Sequence, residues 1–220
     1  MRLGILGGTF DPIHFGHLRS AEEIREELEL EKIYLIPGAI PPHKDPKPIA
    51  PFPDRLVMTQ RAAEGSSYLD VLDLEGRRQD KSYTIETLKE LHHRFQSATE
   101  WFFIIGEDAF LEIKTWKEYK RLFEFANFVV IKRPGFPNTA LEPFILSLGA
   151  GFQKEQGKNE EGFTVPCGNR LIYRETTCMD ISSTRVRELV SRGKSIRFLV
   201  PEPVRLYIQE KGLYSKHGDP

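Results

Sequence analysis

Cysteine, net charge and long apolar runs are all scarce in this chain of 220 residues. Its two cysteines, Cys167 and Cys178, are too few and too far apart for a disulfide framework or a four-cysteine zinc site. The net charge of −1 argues against nucleic acid as the main partner, because such a partner favours a basic surface. No apolar run approaches the length of a membrane span, and strand residues beginning at Arg2 leave no room for a secretory signal. We therefore expect a cytoplasmic protein with reduced thiols and neither a membrane nor a nucleic-acid partner.

The sequence does contain a regular alternation of strand-like and helix-like segments. Short apolar runs predict five strands, at residues 2–6, 32–36, 69–74, 101–105 and 128–131. Apolar residues at helical spacing predict helices at 16–28, 54–63, 84–95 and 117–123. This alternation predicts an α/β fold, a Rossmann-like doubly wound parallel sheet of about five strands with helices on both faces. We expect one domain over residues 1–220, with a small C-terminal helical part from about residue 182.

Two segments interrupt this pattern. Residues 37–53 contain seven prolines, which predicts an extended loop at the carboxyl end of a strand. Residues 149–168 are polar and rich in glycine, and we expect them to form a mobile surface excursion.

The most informative stretch, GGTFDPIHFGH, begins at Gly7, directly after the first predicted strand. Small residues let the backbone approach an anion, and the free N–H groups and dipole of a helix start favour phosphate. His14 and His17 are three residues apart, so their rings project to one side and each can offer an N–H to a phosphate oxygen. The alternatives are a metal pair, for which Asp11 is the only obvious further local ligand, and two helix-capping histidines.

A second motif, DISSTRVR, begins at residue 180. Ser182 or Ser183 is a good N-cap for the helix pattern that follows. At helical spacing, the hydroxyls of Ser183 and Thr184 can converge with the guanidinium of Arg187 into a clamp for phosphate, whereas Arg185 should face elsewhere. The alternative is a plain capped helix with surface arginines.

Together, these two motifs resemble the nucleotidyltransferase superfamily and, within it, the bacterial nicotinate mononucleotide adenylyltransferases. Further matching stretches are Pro41-Pro42-His43-Lys44, Ser82-Tyr83-Thr84, Gly106-Glu107-Asp108, Trp116-Lys117, Lys132-Arg133-Pro134-Gly135 and Val204-Arg205-Leu206-Tyr207-Ile208. The resemblance covers nearly the whole chain. It implies transfer of AMP from ATP to nicotinate mononucleotide with release of pyrophosphate, and Mg²⁺ accompanying the ATP. The nucleophile is a phosphate monoester whose second pKa is about 6, so the reaction needs no general base.

The resemblance also assigns roles to individual residues. It makes His14, His17 and Arg187 the catalytic residues. The ATP site that it implies consists of Gly7, Gly8, Thr9, Phe10, Gly16, Gly106, Asp108, Ile181, Ser182, Ser183 and Thr184. The mononucleotide site that it implies consists of Lys44, Ser82, Tyr83, Thr84, Trp116 and Arg133. No protein ligand for a metal ion is implied.

Some of these residues also have ordinary structural interpretations, and the chain departs from the family pattern in places. Lys44 could face solvent, Trp116 could be a packing residue, and Asp108 could cap a helix. Glu107 stands where a small residue is more typical. Residues 77–81 precede Ser82 without the glycine that relatives usually have there.

Two kinds of alternative function remain open at this stage. The same chemistry could act on nicotinamide mononucleotide or phosphopantetheine, although the proline loop and Trp116 favour a pyridine nucleotide. A non-catalytic nucleotide-binding protein on the same scaffold would be expected to lose His14, His17 or Arg187, and all three are present. Whether copies of the chain associate into a homo-oligomer is left open by the sequence.

Overall fold

A computed structural model of the chain describes residues 1–40, 49–78, 81–95, 98–132, 141–149, 151–154 and 162–215. The strands within these residues are β1 (Arg2–Gly8), β2 (Lys32–Pro37), β3 (Leu69–Val71), β4 (Glu100–Gly106), β5 (Asn127–Lys132), β6 (Gln153–Lys154), β7 (Gly162–Thr164) and β8 (Arg170–Glu175). The α-helices are α1 (Phe15–Glu27), α2 (Phe52–Ala63), α3 (Thr84–Arg94), α4 (Glu107–Leu111), α5 (Tyr119–Phe125), α6 (Leu141–Leu146), α7 (Ser183–Ser191) and α8 (Glu202–Glu210). No helix in the described part of the chain is long and apolar enough to cross a membrane.

All eight strands belong to one sheet, in the order β3-β2-β1-β4-β5-β8-β7-β6. Six neighbouring strands are parallel, namely β3, β2, β1, β4, β5 and β8. Beyond β8, the strands β7 and β6 pair in antiparallel fashion and form one edge of the sheet. From β1 the chain first builds the sheet outward through β2 and β3, and then returns to place β4 on the other side of β1. The strand order therefore reverses between β1 and β4. In open α/β sheets, ligands bind at this point, beyond the carboxyl ends of the strands.

Side chains alternate across the sheet and build a core on each face. The first core contains Leu3 and Ile5 of β1 together with the inner sides of α3 and α5. The second core contains Leu6 of β1 together with the inner sides of α1, α2, α7 and α8. Because both faces are covered by helices, the predicted doubly wound α/β fold is confirmed.

The predicted number of about five strands is wrong, because the sheet has eight. The strand that sequence reasoning missed in the parallel part is β8, whose three buried residues, Leu171 to Tyr173, lie between arginines. Such a short apolar run is difficult to distinguish from a loop. The expected surface excursion at 149–168 is also partly wrong, since β6 and β7 within it extend the sheet. Residues 155–161 lie outside the described part.

The proline-rich segment ends sooner than predicted. Helix α2 begins at Phe52, with Pro51 as its N-cap residue and Pro53 in its first turn. Proline is tolerated there because the first turn of a helix has no partners for its N–H groups. At the other end of the chain, α8 packs against α2, and the Tyr207 hydroxyl donates to Asp54 at 2.8 Å.

Candidate active site

The glycines predicted to meet a nucleotide lie where the strand order reverses. Gly7 and Gly8 form the carboxyl end of β1, and Gly106 forms the carboxyl end of the adjacent strand β4. The loop that follows Gly8 therefore opens directly onto the crevice between the two strands. The structure places the first motif at the position where this fold binds ligands.

The two glycines at the carboxyl end of β1 differ in what the packing around them demands. A Cβ atom on Gly8 would lie 2.8 Å from the ring of Phe10, which is only 2% exposed and has a φ of 47°. Gly8 thus makes room for a buried side chain whose backbone is in the left-handed region. Gly7 is exposed, and a Cβ there would meet the Phe103 ring at 3.9 Å, an ordinary contact. Internal packing therefore does not demand glycine at position 7, and its small size leaves space beside the crevice.

His14 and His17 do project to one side of the start of α1, as the spacing predicts. Their rings stack with centroids 3.7 Å apart, and the edge of Phe10 supports the His17 ring at 5.1 Å. The backbone N–H of His14 donates to Nδ1 of His17 at 3.3 Å. Because Nδ1 accepts this bond, the neutral ring of His17 carries its proton on Nε2. The capping alternative is thus right for Nδ1 of His17, which accepts a hydrogen bond at the helix start. It does not account for Nε2, the nitrogen that carries the proton.

Several backbone N–H groups at the start of α1 donate to carbonyls within the protein. The N–H of Phe15, the first residue of the helix, donates to the carbonyl of Leu199 at 3.0 Å. The N–H groups of His17 and Leu18 both donate to the carbonyl of His14. Sequence reasoning missed the contact with Leu199 because it joins residues far apart in the chain. The helix start is held in place by the C-terminal part of the protein.

Helix α7 brings the second motif into direct contact with the first. Ser182 is its N-cap residue and accepts a hydrogen bond from the N–H of Arg185 at 3.2 Å. The hydroxyl of Ser183 donates to the carbonyl of Pro12 at 2.9 Å, and Nη1 of Arg187 donates to the carbonyl of Asp11 at 2.6 Å. These two bonds hold the start of α7 against the loop between β1 and α1.

The other residues of the second motif divide as the sequence predicts. Nη2 of Arg187 donates to the hydroxyl of Thr184 at 3.2 Å, so these two side chains converge. Arg185 is exposed and pairs with Glu188 at 3.6 Å. The backbone carbonyl of Ile181 would lie 3.7 Å from a Cβ atom on Gly16, so the two segments also approach each other at these residues.

Asp11, the candidate metal ligand, is committed to contacts within the protein. Its carboxylate is buried, with 2% of the residue exposed. Oδ1 accepts hydrogen bonds from the N–H of Ala50 at 3.1 Å and from the hydroxyl of Tyr214 at 2.7 Å, and Oδ2 lies 3.4 Å from Nη1 of Arg187. Within the described ranges no group of three or more His, Cys, Asp or Glu side chains could hold a metal ion. The described side chains therefore do not fit a resident metal site.

Arg55 supports the site and was missed by sequence reasoning. It is 1% exposed and donates to four carbonyls, those of Thr9, Gly38, Ala39 and Ala50, at 2.6 to 3.0 Å. Burial lowers the pKa of its guanidinium, and the negative charge of Asp11 opposes this shift. Its signal in the sequence is its place on the buried face of α2, three residues before Met58. Arginine at such a position needs several acceptors, which the loops after β1 and β2 supply.

Ser82, predicted to contact the mononucleotide, makes hydrogen bonds within the protein. Its hydroxyl oxygen accepts hydrogen bonds from the N–H groups of Ala39 at 3.0 Å and Ile40 at 3.1 Å. The neighbouring carboxyl of Glu75 is buried, which raises its pKa, while hydrogen bonds from Thr87 and Ser82 oppose that shift. Ser82 thus joins the loop after β2 to the start of α3.

The remaining residues predicted for the mononucleotide frame the start of α3. Tyr83 is its N-cap residue but makes no side-chain capping hydrogen bond, and Thr84 is its first residue. Trp116 is partly buried, with its ring edge-on to Phe103 of β4 at 6.4 Å, so one side of it packs on the first core. Lys44 and Arg133 lie outside the described residues.

At the two places where the chain departs from the family pattern, near Gly106 and before Ser82, the unusual side chains contact the rest of the protein. Glu107 begins α4 with its side chain buried, whereas Asp108 beside it is exposed in the first turn. Before Ser82, Nη1 of Arg78 donates to the hydroxyl of Thr87 at 3.1 Å, which ties the unusual loop to α3. Tyr83 and several charged side chains line an open groove of about 1010 Å³ beside this loop.

The chain is similar to several known proteins over nearly its whole length. The model of the cytidylyltransferase-like family matches residues 5–189. A protein of Desulfatibacillum aliphaticivorans named "Probable nicotinate-nucleotide adenylyltransferase" is 44% identical over 218 residues, which cover 97% of this chain and 100% of that protein. A protein of Geobacter metallireducens with the same name is 43% identical, with 98% and 99% covered.

Solved structures show the same fold at lower identity. Plasmodium falciparum nicotinic acid mononucleotide adenylyltransferase complexed with NaAD superposes with a TM-score of 0.73 at 19% identity, covering 97% of each chain. The same enzyme complexed with APC gives a TM-score of 0.69 at 20% identity, covering 97% of this chain and 96% of that one.

Proposed function

The chain belongs to the cytidylyltransferase-like family, and from that premise we propose that it acts as a nicotinate-nucleotide adenylyltransferase. It transfers AMP from ATP to nicotinate mononucleotide and yields nicotinate adenine dinucleotide and pyrophosphate. The observation that carries this proposal is the contact between the two motifs, through Ser183 to Pro12 and Arg187 to Asp11, at the point where the strand order reverses. Two segments suited to phosphate thus share one crevice.

For this reaction the protein needs only to position the two substrates and to stabilise the charge that develops on pyrophosphate. The phosphate of the mononucleotide is mostly dianionic at neutral pH, so it attacks the α-phosphorus of ATP without a general base. The bond between the α-phosphorus and the bridging oxygen breaks, and pyrophosphate leaves with the electron pair. His14, His17 and Arg187 offer donors to the oxygens on which this charge develops. The stacked histidines and the Asp11-bound guanidinium are already oriented before substrate arrives.

We assign the rest of the ATP site to residues around the same crevice. Gly7 leaves space for the nucleotide, and the starts of α1 and α7 supply backbone N–H groups from Gly16, Ser183 and Thr184. Gly8, Thr9 and Phe10 shape the loop, and Gly106, Asp108 and Ile181 border it. Mg²⁺ enters as part of the MgATP substrate, since Mg²⁺ commonly binds through substrate phosphates and the described side chains offer it no cage.

We place the nicotinate ring and its carboxylate between Trp116 and the start of α3. The uncapped N–H groups at Thr84 favour a carboxylate over a neutral amide, because the N-terminus of a helix carries a partial positive charge. Tyr83 and Trp116 offer flat faces for the ring. Ser82 acts through the loop at Ala39 and Ile40, whereas Lys44 and Arg133 are proposed from the resemblance alone. The exposed free thiols of Cys167 and Cys178 are consistent with a cytoplasmic location.

Pyrophosphate release from MgATP tests the proposal, with nicotinate mononucleotide, nicotinamide mononucleotide and phosphopantetheine supplied separately. We expect kcat/KM to be highest with nicotinate mononucleotide, because only that acceptor places a carboxylate at the start of α3. Higher kcat/KM with another acceptor would contradict the assigned specificity. ATP binding without turnover of any acceptor would instead support a non-catalytic nucleotide-binding protein.

A further inference from the structure

The Asp11 carboxylate connects Arg187 to a residue near the C-terminus that no motif includes. Tyr214 follows α8, and its hydroxyl donates to Oδ1 of Asp11 at 2.7 Å. Burial, followed by the negative charge of Asp11, raises the pKa of this phenol well above its usual range. The hydroxyl therefore stays protonated and acts as a donor at neutral pH.

The hydrogen bonds to Asp11 fix the orientation of its carboxylate group relative to Arg187. Oδ1 is held by two donors, the N–H of Ala50 and the hydroxyl of Tyr214, while Oδ2 lies 3.4 Å from Nη1 of Arg187. Without the hydroxyl, Oδ1 would keep a single donor and the carboxylate could rotate toward the guanidinium. A closer ion pair would draw Arg187 away from an incoming phosphate, since both anions compete for the same planar fork.

We propose that Tyr214 is a positioning residue for adenylyl transfer: its hydroxyl fixes the Asp11 carboxylate so that Arg187 keeps the orientation in which it meets the polyphosphate. The inference rests on the proposed function. It makes the residues after α8 part of the active site, although they lie about 200 positions from the first motif.

The chain contains a matched control for this contact. The hydroxyl of Tyr207 donates to Oδ1 of Asp54 at 2.8 Å, so donor, acceptor and distance are nearly the same. Tyr207 also belongs to the C-terminal part, in α8, and it is 6% exposed. Asp54 lies in the first turn of α2, outside both motifs. Removing either hydroxyl should therefore cost similar stability, but only one removal should affect Arg187.

The experiment compares Tyr214→Phe with Tyr207→Phe in the full-length chain. We expect Tyr214→Phe to lower kcat about tenfold and to leave the KM values for ATP and nicotinate mononucleotide within about twofold of wild type. The reason is that Arg187 interacts most strongly with the negative charge that develops on the leaving pyrophosphate in the transition state. Tyr207→Phe should keep kcat within about twofold while its unfolding midpoint falls by a similar amount. In an Arg187→Ala background, Tyr214→Phe should change kcat by less than about twofold, as residues acting through one another are not additive.

A second measurement does not depend on turnover. The side-chain Nε–H signal of Arg187 in an ¹⁵N–¹H NMR spectrum, assigned with Arg187→Lys, should shift in Tyr214→Phe and stay in place in Tyr207→Phe. An unmoved signal, an unchanged kcat, or equal losses of kcat in both variants would overturn the inference. A Tyr214→Phe chain that fails to fold beside a folded Tyr207→Phe chain would also overturn it, because the hydroxyl would then be a structural support. A wild-type chain inactive with nicotinate mononucleotide would contradict the proposed function, and the NMR comparison would still decide this inference.

Discussion

At the scale of single residues, the site depends on atoms whose hydrogen bonds fix the direction of other atoms. His17 illustrates this, because its Nδ1 accepts from the N–H of His14 and its ring both stacks on His14 and makes an edge-to-face contact with Phe10. The ring has little freedom to rotate, so the direction of Nε2 is set before a ligand binds. A donor that is oriented in advance costs little reorganisation when charge develops on the leaving pyrophosphate.

Substitutions at His17 distinguish the structural role of Nδ1 from the proposed catalytic role of Nε2. We expect His17→Ala to lower kcat by about 100-fold or more, the usual loss when one oriented donor to a developing negative charge is removed. The free energy of unfolding should fall by only about 1 kcal/mol, since the folded protein loses one hydrogen bond at a helix start. Steady-state pyrophosphate release and urea unfolding measure the two effects.

Asparagine at the same position is the control for this prediction. In His17→Asn, the side-chain oxygen can still accept from the N–H of His14, so most of the stability should return while kcat stays low. A kcat within tenfold of wild type in either variant would contradict the assignment of His17 to phosphate stabilisation.

Residue-scale predictions from the sequence succeeded where the spacing within one helix was enough. The separation of three residues places His14 beside His17, and Thr184 beside Arg187, without knowledge of the rest of the fold. Arg55 is different. Its position on α2 predicts burial, but its four acceptors come from two separate loops, those after β1 and β2, and the meeting of these loops depends on the order of the strands.

At the scale of elements, α3 carries the proposed acceptor specificity. Its N-cap residue, Tyr83, has φ and ψ of −82° and 125°, and the Tyr83 side chain makes no capping hydrogen bond. These values match the extended conformation that proline requires of the residue before it. The first helical position, Thr84, therefore accepts a substitution that removes its N–H group and leaves the helix start intact.

Thr84→Pro tests whether that N–H group recognises the nicotinate carboxylate. We expect KM for nicotinate mononucleotide to rise about tenfold, the loss of one hydrogen bond to a charged group, with KM for ATP changed less than twofold. Thr84→Ala keeps the N–H group and should leave both KM values near wild type. Thermal unfolding confirms that each helix still forms. Equal effects of proline and alanine would count against recognition through the backbone.

The contact between α1 and α7 marks the limit of sequence reasoning about elements. The residues of each helix start predict phosphate binding on their own. Their contact joins Asp11 and Pro12 to Ser183 and Arg187, and it arises because α7 packs on the same face of the sheet as α1. Only the resemblance to a family indicated that the two motifs act together.

At the scale of the whole molecule, one sheet separates two cores, and we propose that they form a single cooperative unit. The C-terminal helices close over the second core, where Ile208 of α8 is 1% exposed. Both tryptophans of the chain, Trp101 and Trp116, belong to the opposite side, the first core. Their fluorescence therefore reports on the face of the sheet that α8 does not touch.

Ile208→Ala tests this cooperation. The cavity should lower the free energy of unfolding by about 2–5 kcal/mol. If the molecule unfolds as one unit, the urea midpoint followed by tryptophan fluorescence should fall together with the midpoint followed by far-ultraviolet circular dichroism, although no tryptophan borders the cavity. Leu206→Ala is the control on the same helix, because Leu206 is 48% exposed and its loss should change stability by less than about 0.5 kcal/mol.

A fluorescence midpoint that stays at the wild-type value in Ile208→Ala would mean that the C-terminal part unfolds on its own. The active site would then be assembled from two separately stable units, since Ser183, Arg187 and Tyr214 would belong to one unit and the glycine-histidine loop to the other.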